Sequence, residues 1–475
     1  MRAERWWVVS CALLSGCTLF DAVTIRDQPA LPDVYAGLDS AADGGAPQLD
    51  WREYFDDPAL SPLVGEALEK NQELAMAVER IELARAGVTR TTGALLPKLE
   101  LGVGTGLRKY GLFTMDGAGN ATTEITPGRL VPVHLGDFAM SLQASWEADV
   151  WGKLRNEKNA SAAQLAASVE SAHAVATGLV AEVATTWFEL LALDRVREVL
   201  ARTEAHQQQA LEVVQVQRSV GRATELSVKQ FEMQVLETRA LAFEAAQQTL
   251  EAENRLNLLL GRLPQPITRP KLEGLTPAGR VRAGLPADLL RNRPDVRELE
   301  RRMAATQFDV KSAQAAFFPH INLSAGLGLQ AFDPAYLFRL PESLIYSLLG
   351  GLVAPLLNHS ALEAQLEGAR AQQREAMYAY HRVVLGAYVE VVNGLASQES
   401  TARLLALKQE QQQAVAQMVE TADALYQAGK ASSLEVLLAQ QNALRAELEL
   451  VESWRRQRVA SVTLYKALGG GWQRE

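Results

Sequence analysis

Residues Leu95–Leu107 read LLPKLELGVGTGL, and 222 residues later Phe317–Leu329 read FFPHINLSAGLGL. Each runs an apolar pair, a proline, a polar residue, then alternation ending in glycines. Both follow a helix-like run, so the chain is an internal duplication, and its fold must hold two copies of one unit. Other pairs agree. Ser219-Val220-Gly221-Arg222-Ala223 resembles Gln427-Ala428-Gly429-Lys430-Ala431, at an offset of 208. Leu256-Asn257-Leu258-Leu259-Leu260-Gly261 resembles Leu464-Tyr465-Lys466-Ala467-Leu468-Gly469 at the same offset. The fall from 222 to 208 puts a longer connection in the first half, at Arg108–Gly136.

Within each half the hydrophobic period switches. Leu165, Val169, Ala172, Ala176, Leu179, Val183, Leu190 and Leu193 keep a 3–4 spacing that only Thr186 breaks, the seam of a coiled coil. Phe231, Val235, Ala242, Ala245, Leu256 and Leu259 continue such a seam, as do Leu434, Leu437, Leu444, Leu448 and Val451. No proline falls between Gly152 and Val220 or between Asn358 and Ala428, so each stretch can form a helix of roughly 100 Å. Gly221 and Gly429 sit where a left-handed glycine ends a helix. Ser432-Ser433-Leu434-Glu435 is a capping box for the next one. Each half therefore holds a long helical hairpin, and shorter helices are predicted at Ser61–Gly93 and Pro286–Phe317.

The segments after the prolines have period two. Leu99, Leu101, Val103 and Leu107 share one face, with Glu100, Gly102, Gly104 and Gly106 on the other. Phe138, Met140, Leu142, Ala144 and Trp146 alternate with Ala139, Ser141, Gln143, Ser145 and Glu147; Ile321, Leu323, Ala325, Leu327 and Leu329 alternate with Asn322, Ser324, Gly326, Gly328 and Gln330. A fourth strand near Leu344–Ala354 is less clean. About ten residues suffice for a tilted strand to cross a bilayer. No later stretch reads as a membrane helix, because Thr177–Leu193 is interrupted by Glu182 and Glu189. A membrane-spanning reading therefore requires strands. Four strands do not close a barrel, and open edges are not tolerated in lipid, so copies must associate; a dimer, trimer or tetramer would each satisfy that requirement.

The two cysteines, Cys11 and Cys17, both precede residue 18. The body has no disulfide, no cysteine zinc site and no cysteine nucleophile. Arg2 and Arg5, then apolar Trp6–Leu14, form a secretory signal. Leu14-Ser15-Gly16-Cys17 resembles the bacterial lipobox, which would make Cys17 the acylated first residue, and Thr18 after it directs sorting to the outer membrane. Net charge is −9 with no basic block, which argues against nucleic acid as a partner. Six histidines show no HExxH, Gly102–Gly106 is not a dinucleotide loop, and no GxxxxGK[ST] occurs. Nothing supports an enzyme, a resident metal or a cofactor other than the lipid on Cys17.

Asp288-Leu289-Leu290-Arg291-Asn292-Arg293-Pro294-Asp295-Val296-Arg297 closely resembles the LLxxRPDVR signature of TolC-like outer-membrane efflux lipoproteins. Trp146-Glu147-Ala148-Asp149-Val150-Trp151-Gly152-Lys153 resembles their WELDLWGR segment, and Leu425-Tyr426-Gln427-Ala428-Gly429 resembles their second turn. The resemblance spans about Trp51 to Gly469. It implies a mixed α and β fold: a homotrimer forming a 12-stranded outer-membrane β-barrel continuous with a 12-helix periplasmic α-barrel. It also implies docking to a periplasmic adaptor and an inner-membrane pump, commonly proton-driven, in a Gram-negative cell, with drugs, metals or other small molecules as cargo. The segmentation expected is a signal peptide (1–16), a lipidated extension (17–50), a first repeat (51–265), a connecting segment (266–284) and a second repeat (285–475). The alternative is a periplasmic coiled-coil adaptor or scaffold lipoprotein, against which the duplication and strand pairs speak.

The helix ends are where such a tunnel would close. Gate candidates are Asp423, Tyr426, Glu435 and Glu225; Ala431 stands where many relatives carry an aspartate. Adaptor-contact candidates are Gly221, Arg222, Leu226, Gly429, Lys430 and Leu434. Arg293 and Pro294 read as structural, marking a rigid helix start.

Overall fold

A computed structural model describes residues 31–32, 35, 50–272, 274–275, 286–355 and 359–470. Cys17 and the signal segment lie outside the described residues. The chain divides into two compact units. Of the described residues, those within 83–165 and 301–377 make one unit and the rest make the other.

In chain order the helices are α1 (Trp51–Phe55), α2 (Leu60–Lys70), α3 (Gln72–Gly93), α4 (Met115–Thr122), α5 (Lys153–Ser219), α6 (Glu225–Leu259), α7 (Leu289–Asn292), α8 (Pro294–Ala315), α9 (His359–Gln427) and α10 (Ser433–Ala467). The strands are β1 (Lys98–Arg108), β2 (Glu124–Thr126), β3 (Arg129–Leu130), β4 (Leu135–Ala148), β5 (His320–Ala331) and β6 (Leu344–Val353). Helix α5 has 67 residues and α9 has 69. The longer connection of the first half holds α4 and the small β2–β3 hairpin.

In the unit that holds the strands, β1, β4, β5 and β6 form one antiparallel sheet in that order. The β4–β5 pairing joins the two repeats, and β1 and β6 are left as edges. Register keeps a single apolar face. Leu101 lies opposite Leu142, which lies opposite Leu327, which lies opposite Tyr346. Val103, Met140, Leu329 and Leu344 form the next row. The other face carries rows such as Glu100, Gln143, Gly326 and Ser347. A slip of one residue would exchange the faces. The fourth strand looked irregular because Ile345, Leu349 and Val353 add apolar residues to the second face; its first-face residues still alternate. Every β1 residue is exposed, with Leu99, Leu101, Val103 and Leu107 each more than 60% so. Gly328 has a steric reason as well: a Cβ there would lie 2.5 Å from the Met140 carbonyl oxygen.

The tryptophan-rich motif closes the strand end of that unit. Asp149 accepts from the backbone N–H groups of Leu154 and Arg155, each at 2.9 Å, and so caps α5. Glu147 pairs with Lys153 at 3.1 Å. Gly152 takes φ +79°, which an L side chain resists. Trp151 stacks on Phe318 and donates to the Pro319 carbonyl at 2.7 Å. Trp146 donates to the Leu95 carbonyl at 2.9 Å.

In the other unit a large apolar core gathers α1, α2, α5, α6, α9 and α10 around Trp187, Phe188, Leu256 and Trp454. Trp187 is fully buried and donates to Asp57 at 2.8 Å. Thr186, the break in the α5 seam, is buried too; its hydroxyl donates to the Glu182 carbonyl at 2.9 Å, which removes the cost of burying it. Leu434 departs from expectation: it is exposed, while Leu437 and Val451 of the same seam are buried. One further correction concerns α5, which does contain a stretch apolar enough to cross a membrane. That stretch is 61% buried inside the protein, as in a core helix.

The shorter helices are each broken, at Asn71 and at Arg293. The two breaks are counterparts, 222 residues apart. Asn71 accepts through Oδ1 from the N–H of Glu73 (2.9 Å) and Leu74 (3.1 Å), and donates through Nδ2 to the Leu259 carbonyl at 2.9 Å. Arg293 donates to the Ala467 carbonyl at 3.0 Å, and Leu259 and Ala467 are 208 residues apart. The buried Arg293 guanidinium also pairs with Asp295 and Glu390, each at 2.6 Å. One side chain at each break thus satisfies an orphan carbonyl at the end of another helix; Asn71 also caps α3, whereas at the start of α8 the acceptor is Asp295, which takes the Val296 N–H at 3.0 Å.

Candidate functional site

The turn ends of the two long hairpins lie in the second unit, and their geometry follows from glycine. Gly221 (φ +73°) and Gly429 (φ +74°) are left-handed. The Gly221 N–H donates to the Arg218 carbonyl (3.0 Å) and the Arg222 N–H to that of Gln217 (2.8 Å). Gly429 donates to Tyr426 (2.9 Å) and Lys430 to Leu425 (2.8 Å). Each pair is a Schellman termination of α5 or α9. The same motif ends α6 at Gly261 and α10 at Gly469. The surroundings differ. A Cβ on Gly221 or Gly429 would meet nothing within 4 Å, whereas one on Gly469 would lie 2.7 Å from the Asn292 carbonyl oxygen and one on Gly261 would collide with that of Lys70.

The following helices start as their sequences indicate. Thr224 caps α6 by accepting from the Ser227 N–H at 3.1 Å. Glu435 accepts from the Ser432 N–H (2.6 Å) and hydroxyl (2.9 Å). Those bonds, the backbone one first, hold the Glu435 carboxyl below its usual range.

Two contacts tie the hairpin ends together. Tyr426 donates from its hydroxyl to Gln217 Oε1 at 2.5 Å. The hydroxyls of Ser227 and Ser433 lie 3.3 Å apart. Beneath them Leu211, Val214, Val228, Phe231, Val235 and Leu437 form a separate apolar cluster. Beside it is a cleft of about 1080 Å³, lined among others by His206, Gln217, Arg222, Asp423, Tyr426 and Glu447.

The structure brings Asp423, Tyr426, Gly429 and Arg222 to this one cleft. Glu435 lies at the start of α10 as a cap, and Glu225 pairs with Arg218 at 2.7 Å. Asp423 has no ion-pair partner among the described residues, and partial burial raises its carboxyl pKa. Gly221, Arg222, Leu226, Gly429, Lys430 and Leu434 are all exposed. Gln217 and the two serines were not anticipated. Nothing marks Gln217 in sequence, because its partner is 209 residues away. The serines had a weak signal, one in the first turn of each hairpin's second helix. Among the described residues no group of three or more His, Cys, Asp or Glu side chains is placed to hold a metal ion.

Comparison with known proteins gives concordant results. The family model described as outer membrane efflux protein matches residues 63–262 and 285–470. The pyoverdine export outer membrane protein OpmQ of Pseudomonas aeruginosa is 31% identical over 470 residues, covering 97% of both chains. The cation efflux system protein CusC of Escherichia coli K12 is 29% identical over 96% of this chain and 97% of its own. A crystal structure of a membrane protein from Pseudomonas aeruginosa superposes with a TM-score of 0.82 at 26% identity, covering 95% of this chain and 97% of that one.

Proposed function

The chain belongs to the outer membrane efflux protein family and is the outer-membrane channel of a tripartite efflux system, a conduit and not an enzyme; from that premise we propose how it is assembled, gated and docked. Three copies form the channel, each giving four strands to a 12-stranded barrel and four long helices to a 12-helix tunnel. The observation that carries this is the four-stranded sheet, with one continuous apolar face and two unpaired edges. Lipid tolerates the face and not the edges, and common barrels need about eight strands or more. An adaptor or scaffold lipoprotein would have no use for such a sheet.

The anchor is acyl lipid on Cys17. Residues 51–265 and 285–475 are the two repeats, joined by 266–284, after a signal (1–16) and a lipidated extension (17–50). A periplasmic adaptor and an inner-membrane pump of the proton-driven class supply cargo and energy. One relative is named for pyoverdine export and another for cation efflux, so the cargo is of the small-molecule or metal class, selected upstream by the pump.

The gate is the set of hairpin ends. The Tyr426–Gln217 bond and the Ser227–Ser433 contact support a closed state, and Asp423 supplies negative charge at the constriction. Glu435 and Glu225 add charge there while serving as cap and ion-pair partner. The exposed turns with Arg222, Leu226, Lys430 and Leu434 are the adaptor contact, and Gly221 and Gly429 give them their shape. Gly221→Pro or Gly429→Pro should abolish efflux while heat-modifiable trimers still reach the outer membrane. Normal drug resistance in both variants would remove the turns from the mechanism.

A further inference from the structure

The apolar interior of the hairpins is interrupted. On α5 the buried apolar residues run on from the large core to Leu200, and the distal cluster begins at Ala210; on α6 the corresponding limits are Ala245 and Val235. About 15 Å of helix separates the two on each. At the inner boundary of the distal cluster sit Gln207 and Gln234, each only 2% exposed. Neither the nitrogen nor the oxygen of either amide has a hydrogen-bond partner. Gln440 on α10 likewise leaves its buried Oε1 unpartnered.

These three residues lie beside one apolar cluster. Gln207 is one turn from Leu211, Gln234 one turn from Phe231 and Gln440 one turn from Leu437, always on the side away from the turns. Leu211, Phe231 and Leu437 belong to the same cluster. The glutamines therefore border that cluster on three helices. Native interiors seldom leave such groups unpaired. The matching ligand must donate and accept, be small, and have a way in. Gln207 and Gln440 line the 1080 Å³ cleft, which supplies the way in. Water meets all three conditions.

We propose that a cluster of bound water occupies this border, bridging Gln207, Gln234 and Gln440, and that the wet layer makes the hairpin ends an independently opening unit. Parting a dry seam exposes apolar surface to water; parting a wet layer exchanges one set of water contacts for another. Opening then disrupts the distal cluster and the Tyr426 and serine contacts, and leaves the large core intact. The purpose given to this motion rests on the gate reading; the layer and its mobility do not.

The test is amide hydrogen exchange on the full-length lipidated protein in nanodiscs, with a high-resolution structure of the same sample. Along the continuous helix α5, protection should fall by about tenfold or more between Leu200 and Ala210, with matching steps on α6 and α10. Density for water within hydrogen-bonding distance of the Gln207 amide is expected. The double variant Gln207→Leu, Gln234→Leu should remove the α5 step, since a dry layer couples the two cores. Uniform protection along wild-type α5, or a dry layer in which the amides bond one another, would overturn the proposal. A channel whose conductance never changes, yet whose residues 208–233 exchange early, would keep the wet layer and dismiss the gate.

Discussion

Asn71 is the residue whose work is most concentrated. Its side chain ends one helix break, starts α3 and satisfies a carbonyl at the close of α6. Asn71→Ala should cost about 2 kcal/mol, roughly one for the lost cap and one for the buried carbonyl left unpaired. Thermal melting of the purified protein checks this, and a change within error would show that water replaces the amide. Asp423 makes a prediction of opposite sign. Partial burial raises its pKa, so the folded state binds the proton more tightly than the unfolded chain. The stability linked to that proton is present below the ordinary carboxylate range and is lost as pH rises through the raised folded value. At neutral pH the ionised Asp423 therefore weighs against the packed hairpin ends. Asp423→Asn should melt higher than wild type at neutral pH, with the advantage fading on acidification. Paired melts at the two pH values decide it; an advantage that persists in acid would assign the effect to packing.

At the scale of elements, the strands commit to a definite choice of lipid face. Leu101 and Leu323 lie on the apolar face, while Gly102 and Ser324 lie on the other. Leu101→Asp and Leu323→Asp should impair membrane insertion, at a cost somewhat below the roughly 2–4 kcal/mol of a lysine or arginine near the midplane. Gly102→Asp and Ser324→Asp should insert nearly as wild type. Quantifying each variant in outer-membrane fractions gives the answer, and equal losses on both faces would contradict the assignment. These faces were legible in the sequence because period two is a local property of ten residues. The long helices were legible for the same reason, together with their glycine ends. The break at Asn71 was not: apolar periodicity runs through it, and the carbonyl that Asn71 serves is 188 residues away. The helix start at Arg293 and Pro294 was read from the proline, although the helix around it was expected to run unbroken from Pro286. Arg293 was recognisable as part of a motif, but its equivalence to Asn71 was hidden because the two side chains share no chemistry beyond an N–H donor. At the hairpin ends the candidate acids were visible as charges. That Glu435 is a cap and Glu225 an ion-pair partner depends on distances that spacing hints at without giving. Gln217 and the buried glutamines left no trace in the pattern, since a glutamine in a helix is equally at home on a solvated face.

For the whole molecule the deciding quantity is the number of strands, because edges do not survive in lipid. In one chain, β1 and β6 lie at opposite sides of the sheet with β4 and β5 between them. At roughly 4.8 Å per strand they are about 14 Å apart, beyond the reach of a disulfide, whose Cα atoms lie within about 7 Å. A cysteine on each edge therefore pairs with its counterpart only when β1 of one copy adjoins β6 of the next. The body of the chain contains no cysteine of its own, so the experiment has a clean background. Gly102→Cys combined in turn with Ser347→Cys, Leu349→Cys or Gly351→Cys should, on oxidation in membranes, give a ladder that ends at three copies. Which β6 position reacts reports the stagger between subunits, which also sets the tilt of the closed barrel. A ladder that runs to four, or monomers for every pair in protein that is correctly inserted, would overturn the threefold closure. A ladder ending at three would fix the barrel at 12 strands, since each copy brings four and none can remain an edge.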